Sequence, residues 1–381
     1  MRAIAITPGV AGAQLVERDE PKIATPDQVK MRVLRVGICG TDREELVGGR
    51  ADAPAGAKEL VIGHEMLGQV TEVGAAVKRV QVGDHAAFTV RRGCGKCANC
   101  NMGRADMCQT GNYRERGIKA LDGYQTEFVV DQEEFIVRVP PELAPVGVLL
   151  EPLSIVEKAL DEAWQIQSSR NPQAAVTPDW RFGRRCLVAG MGPVGLLAAM
   201  ILRLRGCEVF GLDIVDAANP RPKWLEAIGG SYIDGRQVKP QEIAKHTGSL
   251  DLICDASGVA SLEFDLLDAL GLNGIYVLTG IPGGDRPLQI AGAELVRRLV
   301  LGNKVMFGSV NAARGHFQMG VDDLAAAQAR WGGTSNVAAA LITHHLTPEA
   351  FVKAPDAHPA GAIKEVVEWG ADRGGGASTK A

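Results

Sequence analysis

The 381-residue chain has no apolar run long enough to cross a bilayer; the longest, Met191 to Leu202, falls well short of the roughly 20 residues that a spanning helix needs. Charge of one sign never accumulates, and the formal net charge is only -4. Nucleic acid and anionic membrane surfaces are therefore not expected partners. Eight cysteines are too few for a secreted disulfide scaffold of this length. Four of them crowd between Cys94 and Cys108, which points to a metal in a reducing compartment. Aromatic residues make up 5%, so a pocket lined by aromatic rings for apolar alcohols is not evident. There is no internal repeat of solenoid length and no low-complexity block. Near the N-terminus Thr7, Pro8 and Gly9 interrupt any signal-peptide core, while Ala3 to Ile6 suits a strand, so a cytoplasmic protein is expected. What remains, at 46% apolar and 23% charged, is an ordinary globular composition with material for two or three domains.

The most informative stretch runs from Arg185 to Asp213. Cys186 to Ala189 is a short apolar run suited to a buried parallel strand, and Leu196 to Leu204 is too long and too rich in helix formers to be another. Between them lies Gly190-Met191-Gly192-Pro193-Val194-Gly195. Gly190 suits a tight turn, Gly192 a close approach of pyrophosphate, and Gly195 close packing of helix on strand. Asp213 ends the next strand, where a carboxylate can hold the hydroxyls of an adenosine ribose. Strand and helix then alternate through Tyr232 to Asp234, Leu252 to Asp255, Ile275 to Thr279 and Lys304 to Val310, which predicts six parallel strands in a doubly wound sheet. Helical spacing is also present at Leu324 to Arg330 and Val337 to Leu341.

Residues 1 to 150 read differently, as short strands such as Gln28 to Val36, Gly68 to Val73, His85 to Val90 and Glu127 to Val130 in a mainly β domain. Glu151 to Trp164 has helical spacing, Ser168 to Phe182 reads as a loop, and the Gly374-Gly375-Gly376 tail as frayed. Cys94-x2-Cys97-x2-Cys100-x7-Cys108 can surround one Zn²⁺ with four thiolates, a closed and hence structural site; an iron–sulfur cluster is the alternative. A second set is scattered: Cys39, His64-Glu65 and Glu151. One thiolate, one imidazole and a carboxylate make an open catalytic zinc site, but sequence spacing does not join them.

Resemblance joins them. Cys39-Gly40-Thr41-Asp42, Gly63-His64-Glu65-x2-Gly68-x5-Gly74-x2-Val77, Val82-Gly83-Asp84 and the four-cysteine lobe resemble the zinc-containing medium-chain alcohol dehydrogenases, along residues 1 to about 370. The resemblance implies an α/β chain: a GroES-like, mainly β catalytic domain with its zinc lobe at 94–108 (residues 1–154), a Rossmann domain (155–310) and a C-terminal return to the catalytic domain (311–381) with Asn311 near a hinge. It implies two zinc ions, one on Cys39, His64, Glu65 and Glu151 and one on Cys94, Cys97, Cys100 and Cys108, and a homo-oligomer, dimer or tetramer. Narrower features resemble the archaeal-type glucose (aldose) dehydrogenase branch: Glu151-Pro-Leu-Ser-Ile-Val-Glu-Lys158, Arg114-Glu115-Arg116-Gly117, Asn303-Lys304 and Gly308-Ser-Val-Asn311-x4-His316-Phe317. In that branch the positions of Glu115 and Asn311 contact sugar hydroxyls, Thr41 positions or relays the proton, and Glu65 stands at zinc and sugar together.

Substrate contacts are thus expected at Glu65, Glu115, Glu151 and Asn311, with Cys39, Thr41 and His64 completing the catalytic set. Cofactor contacts are expected at Gly190, Gly192, Pro193, Val194, Gly195, Asp213, Arg221 and Asn311. Two departures from the pattern matter. Glu44 stands where many alcohol dehydrogenases carry a relay histidine. Asp213-Ile214 stands where the branch often has arginines for the NADP phosphate, and the carboxylate favours NAD, with Asn219 and Arg221 leaving NADP as the alternative. The expected reaction is oxidation of the C1 hydroxyl of an aldose to the aldonolactone. Oxidation of a polyol or secondary alcohol is the second enzymatic reading, and a dinucleotide-binding module with a dead site the third. Retention of the open-site ligand set speaks against the last.

Overall fold

The computed structural model describes residues 1–370 apart from 177–180, 182, 284–286, 333–335, 356 and the side chain of Ala175. In chain order its main elements are β1 (Gln28–Ile38), α1 (Gly40–Leu46), β2 (Glu65–Val73), β3 (His85–Phe88), β4 (Arg91–Arg92), β5 (Arg114–Arg116), β6 (Phe128–Gln132) and β7 (Ile136–Val139). The helix α2 (Leu150–Arg170) follows, then β8 (Arg185–Ala189), α3 (Pro193–Leu204), β9 (Glu208–Asp213), α4 (Pro220–Ala227), β10 (Ser231–Asp234), β11 (Leu250–Asp255), β12 (Leu270–Leu278), β13 (Val305–Gly308), α5 (Arg314–Trp331), β14 (Ile342–Leu346) and β15 (Lys364–Glu368).

The chain divides into two compact units. The first comprises Met1–Glu151 and the described part of Ile342–Ala381, the second Pro152–Leu341. In the first unit a seven-stranded sheet runs β7-β3-β2-β1-β15-β14, with β6 also paired to β1. Alternation along β1 buries Val29, Met31 and Val33 against Phe88, Tyr124 and Trp369, the half-covered pattern expected of antiparallel pairing. In the second unit the order is β10-β9-β8-β11-β12-β13, all parallel, which is the doubly wound Rossmann order. Its central strands are buried on both faces, and Leu187, Phe210, Ile253 and Tyr276 form the core beneath one of them.

All six strands read from the second half of the sequence are present. Several boundaries differ. The helix read as Glu151 to Trp164 continues to Arg170, and a short helix at Pro172–Val176 occupies part of the stretch read as loop, whose next residues lie outside those described. Only Ala339–Leu341 of the expected helix at 337–341 forms a turn of 3-10 helix. The return to the first unit begins at Ile342 rather than at 311. Residues 311–341 stay with the second unit because α5 is clamped there: Arg205 forms a bidentate pair with Asp323 at 2.9 and 2.6 Å, and Trp224 Nε1 donates to Val337 O at 2.7 Å. The Gly374–Gly376 tail lies outside the described residues.

Candidate functional site

Three neighbouring strands build the metal-ligand cluster of the first unit. The register pairs Gly37 of β1 with Glu65 of β2, and Ile38 of β1 with Glu365 of β15. Cys39, at the end of β1, is therefore brought beside His64 and Glu65 at the start of β2. Gly63 has φ of +88°, a conformation that suits glycine, and turns the chain so that His64 and Glu65 face Cys39. The Cys39 thiol, the His64 ring and the Glu65 carboxylate each present an atom within 4.8 Å of the others, and His64 and Glu65 are buried.

Asp42 braces this cluster from the first turn of α1. Its Oδ2 accepts the Cys39 N–H at 2.8 Å, and its Oδ1 lies 3.6 Å from His64 Nδ1. Burial lowers the His64 pKa, but the Asp42 carboxylate and the Cys39 thiol outweigh it and hold that pKa well above its ordinary value. Glu45, one turn further on, is buried with no hydrogen-bond partner for either carboxylate oxygen, and burial together with Asp42 pushes it up to about 9. Thr41 is half-buried on the same turn, and Glu44 is exposed.

Lys364, at the start of β15, is the unexpected member. It is 2% exposed, and its ammonium donates to both oxygens of Glu65, at 2.7 and 2.5 Å, and to Ile38 O at 3.1 Å. Glu151 is buried nearby; burial pushes it up to about 7, against the attraction of His64. Its carboxylate lies outside the 4.8 Å grouping of the other three. The structure thus gathers three of the four expected ligands tightly and sets the fourth beside them.

The cluster suits a zinc ion. Thiol, imidazole and carboxylate are the donor types of an open site, and one atom of each lies within 4.8 Å of the others. The second candidate site is equally clear. Cys94, Cys97, Cys100 and Cys108 present their sulfurs within 4.8 Å of one another, and all four are free thiols. Cys94 Sγ and Cys100 Sγ lie 3.9 Å apart, close to the edge of about 3.8 Å of a tetrahedron with Zn–S bonds of about 2.3 Å. Thr110 and the amides of Lys96 and Cys97 draw Cys94 down to about 6, whereas burial and the neighbouring thiols push Cys100 up to about 12.

The second unit carries the glycine turn. Gly190 has φ of +85°, and a Cβ there would sit 2.8 Å from Ser257 Cα. A Cβ on Gly195 would lie 1.8 Å from Gly190 O, so α3 can start this close to β8 only with glycine at that place. Gly192 is the N-cap, Pro193 and Val194 open α3, and the space beside Gly192 is clear. No side chain caps this end of α3, and the first N–H groups of a helix have no intrahelical partner, as a pyrophosphate site requires. Asp213 Oδ2 accepts the Met191 N–H at 2.8 Å and Oδ1 the Ile214 N–H at 2.6 Å, with Arg221 Nη1 3.8 Å away. Asn219 caps α4 by accepting the Arg221 N–H. Asn311 is 7% exposed with φ of +62°, and its side chain accepts the Ala312 N–H at 2.9 Å.

Family models match nearly the whole of this arrangement. The alcohol dehydrogenase GroES-like domain matches residues 25–141, and the glucose dehydrogenase C-terminus residues 144–369. The chain belongs to the glucose dehydrogenase branch of the medium-chain dehydrogenases. The glucose 1-dehydrogenase of Methanocella arvoryzae is 40% identical over 87% of this chain and 90% of its own. That of Thermoproteus tenax is 37% identical over 84% and 86%. A structure of Haloferax mediterranei glucose dehydrogenase in complex with NADP, Zn and gluconolactone superposes with a TM-score of 0.85 at 30% identity, covering 97% of this chain and 99% of that one. Galactitol-1-phosphate dehydrogenase from Escherichia coli, at 19% identity and a TM-score of 0.77, shares the fold.

Sequence reading missed Lys364 and assigned no role to Asp42. Asp42 was findable, since an acid three residues after Cys39 at a helix start is placed to accept the N-cap amide. Lys364 had no such signal. It lies 299 residues from Glu65, and only the pairing of β15 with β1 brings the two together.

Proposed function

We propose that this protein is a zinc-dependent aldose dehydrogenase, oxidising the C1 hydroxyl of a glucose- or galactose-type pyranose to the aldonolactone with hydride transfer to NAD(P)⁺. The observation that carries this reading is the convergence of Cys39, His64 and Glu65 within 4.8 Å, in a chain 40% identical to a glucose 1-dehydrogenase. When bound, zinc acidifies the sugar hydroxyl and steadies the negative charge that builds on its oxygen, and the nicotinamide accepts the hydride. Cys39 and His64 would hold the ion, with the Asp42 carboxylate facing the His64 ring at 3.6 Å and favouring it electrostatically. Lys364 occupies both Glu65 oxygens, which favours Glu151 as the carboxylate that completes the shell, with Glu65 facing the sugar. Thr41 positions or relays the departing hydroxyl proton. Glu115 and Asn311 hydrogen-bond sugar hydroxyls, and a site built on such bonds rejects simple alcohols strongly.

The second unit binds the dinucleotide: pyrophosphate at Gly190 to Gly195, adenosine ribose at Asp213. Asp213 opposes a 2′-phosphate, while Arg221 beside it offers that phosphate a partner, so NAD is preferred and NADP accepted. A second zinc fills the four-cysteine lobe. We place the enzyme in the cytoplasm as a homo-oligomer; no helix among the described residues is long and apolar enough to cross a membrane. Steady-state kcat/KM for glucose, galactose, xylose, sorbitol and 2-butanol, each with NAD and NADP, tests the reading. An aldose with NAD should dominate. Dominance of sorbitol or 2-butanol would overturn the sugar assignment, and dominance of NADP would overturn the weight given to Asp213.

A further inference from the structure

A buried guanidinium ties the four-cysteine lobe to the strand that carries Glu115. Arg91, on β4, is 8% exposed, and its Nη1 donates to Asp106 O at 2.7 Å, inside the lobe between Cys100 and Cys108. Its Nε and Nη2 both donate to Glu115 Oε1, at 3.1 and 2.9 Å. The antiparallel register sets Arg91 directly opposite Glu115 on β5, and the Tyr113 ring lies over the guanidinium at 3.9 Å. Two residues beyond Glu115, Gly117 is seated on the loop that precedes His64: a Cβ there would lie 2.4 Å from Gly63 O. Lobe, guanidinium, Glu115 and the His64 loop are thus one continuous contact path.

We infer that Arg91 is a positioning residue for Glu115, through which the fold of the metal lobe sets affinity for the aldose. This rests on the reading of Glu115 as a sugar contact. A glutamate has three rotatable side-chain bonds, and a carboxylate left to wander must be ordered each time a sugar binds. The planar fork of Arg91 removes that cost beforehand, and a lysine does not reproduce its geometry. The anchor of the fork is a backbone carbonyl whose position is set by how Cys100 and Cys108 fold around their metal.

The test uses zinc-loaded R91K, Y113L, E115Q and the R91K/E115Q double variant. Kinetics with glucose are measured alongside calorimetric titration of gluconolactone, zinc content and thermal unfolding. R91K and E115Q should each raise the glucose KM and weaken lactone binding about tenfold, with kcat and cofactor KM nearly unchanged, and two zinc ions retained. The double variant should be no worse than E115Q, because both changes remove one interaction. Y113L leaves the buried charge in place and should raise KM to a lesser degree, so it decides the matter if R91K does not fold. Additive losses, or a lower melting temperature and kcat with KM and lactone binding unmoved, would overturn the positioning role. If E115Q itself leaves KM unchanged, the sugar-contact reading fails. A raised KM in E115Q with R91K and Y113L silent removes only the inference about Arg91.

Discussion

Replacing Lys364 by methionine tests the construction of the metal-ligand cluster. Lys364 and Glu65 are 2% and 1% exposed, and the ammonium contacts both carboxylate oxygens. Methionine keeps much of the length and removes the charge, leaving Glu65 buried among Asp42 and Glu151, whose carboxylates oppose its own. Removing one partner of a buried ion pair costs about 3–5 kcal/mol, because the other charge is left uncompensated. K364M should therefore destabilise the first unit by that amount, read by hydrogen exchange of the β1 and β15 amides in chelated protein. In zinc-loaded enzyme the loss should be smaller, since the freed carboxylate gains the ion as a partner. The double variant E65L/K364M removes both charges and should recover most of the loss, as apolar replacements of buried pairs commonly do. A loss under about 1 kcal/mol in K364M, or a double variant as unstable as the two single changes summed, would refute the argument.

Acid should weaken the first unit through Asp131. Burial alone would raise its pKa, but Arg92 and Arg116 outweigh burial and hold it at about 2 instead of 3.8. A depressed carboxylate contributes stability that is present above about pH 4 and lost as pH falls toward 2. The size of the shift corresponds to about 2 kcal/mol, and denaturant titrations across that window should show the slope in the parent and its absence in D131N. Gly195→Ala forces a methyl into the Gly190 carbonyl and should cost about 1–3 kcal/mol in the second unit and weaken dinucleotide binding, both measurable by unfolding and by cofactor titration. Metal analysis should find two zinc ions per chain. Chelation should abolish turnover, and unchanged turnover after verified loss of the Cys39–His64 zinc would refute its catalytic role.

The sequence by itself determined what depends on near neighbours. Short, largely apolar runs alternating with helical stretches marked all six parallel strands of the second unit, most clearly the central ones, which are buried on both faces and so apolar almost throughout. Four cysteines within fifteen positions, from 94 to 108, reach one point whatever the rest of the chain does. Cys39, His64, Glu65 and Glu151 were nameable only by resemblance, since nothing local links positions 39, 64 and 151.

Tertiary structure decided the rest. Strand pairing of β15 with β1 put Lys364 on Glu65 across 299 residues, and no periodicity or spacing encodes such a register. The pairing of β4 with β5 set Arg91 opposite Glu115, and an arginine clamp that composition does not announce kept α5 with the second unit. A buried charge needs a partner, and sequence shows the need only once the fold has shown the burial. The chemistry of the donors was thus legible from residue types, while the grip of Lys364 on Glu65 exists only in three dimensions.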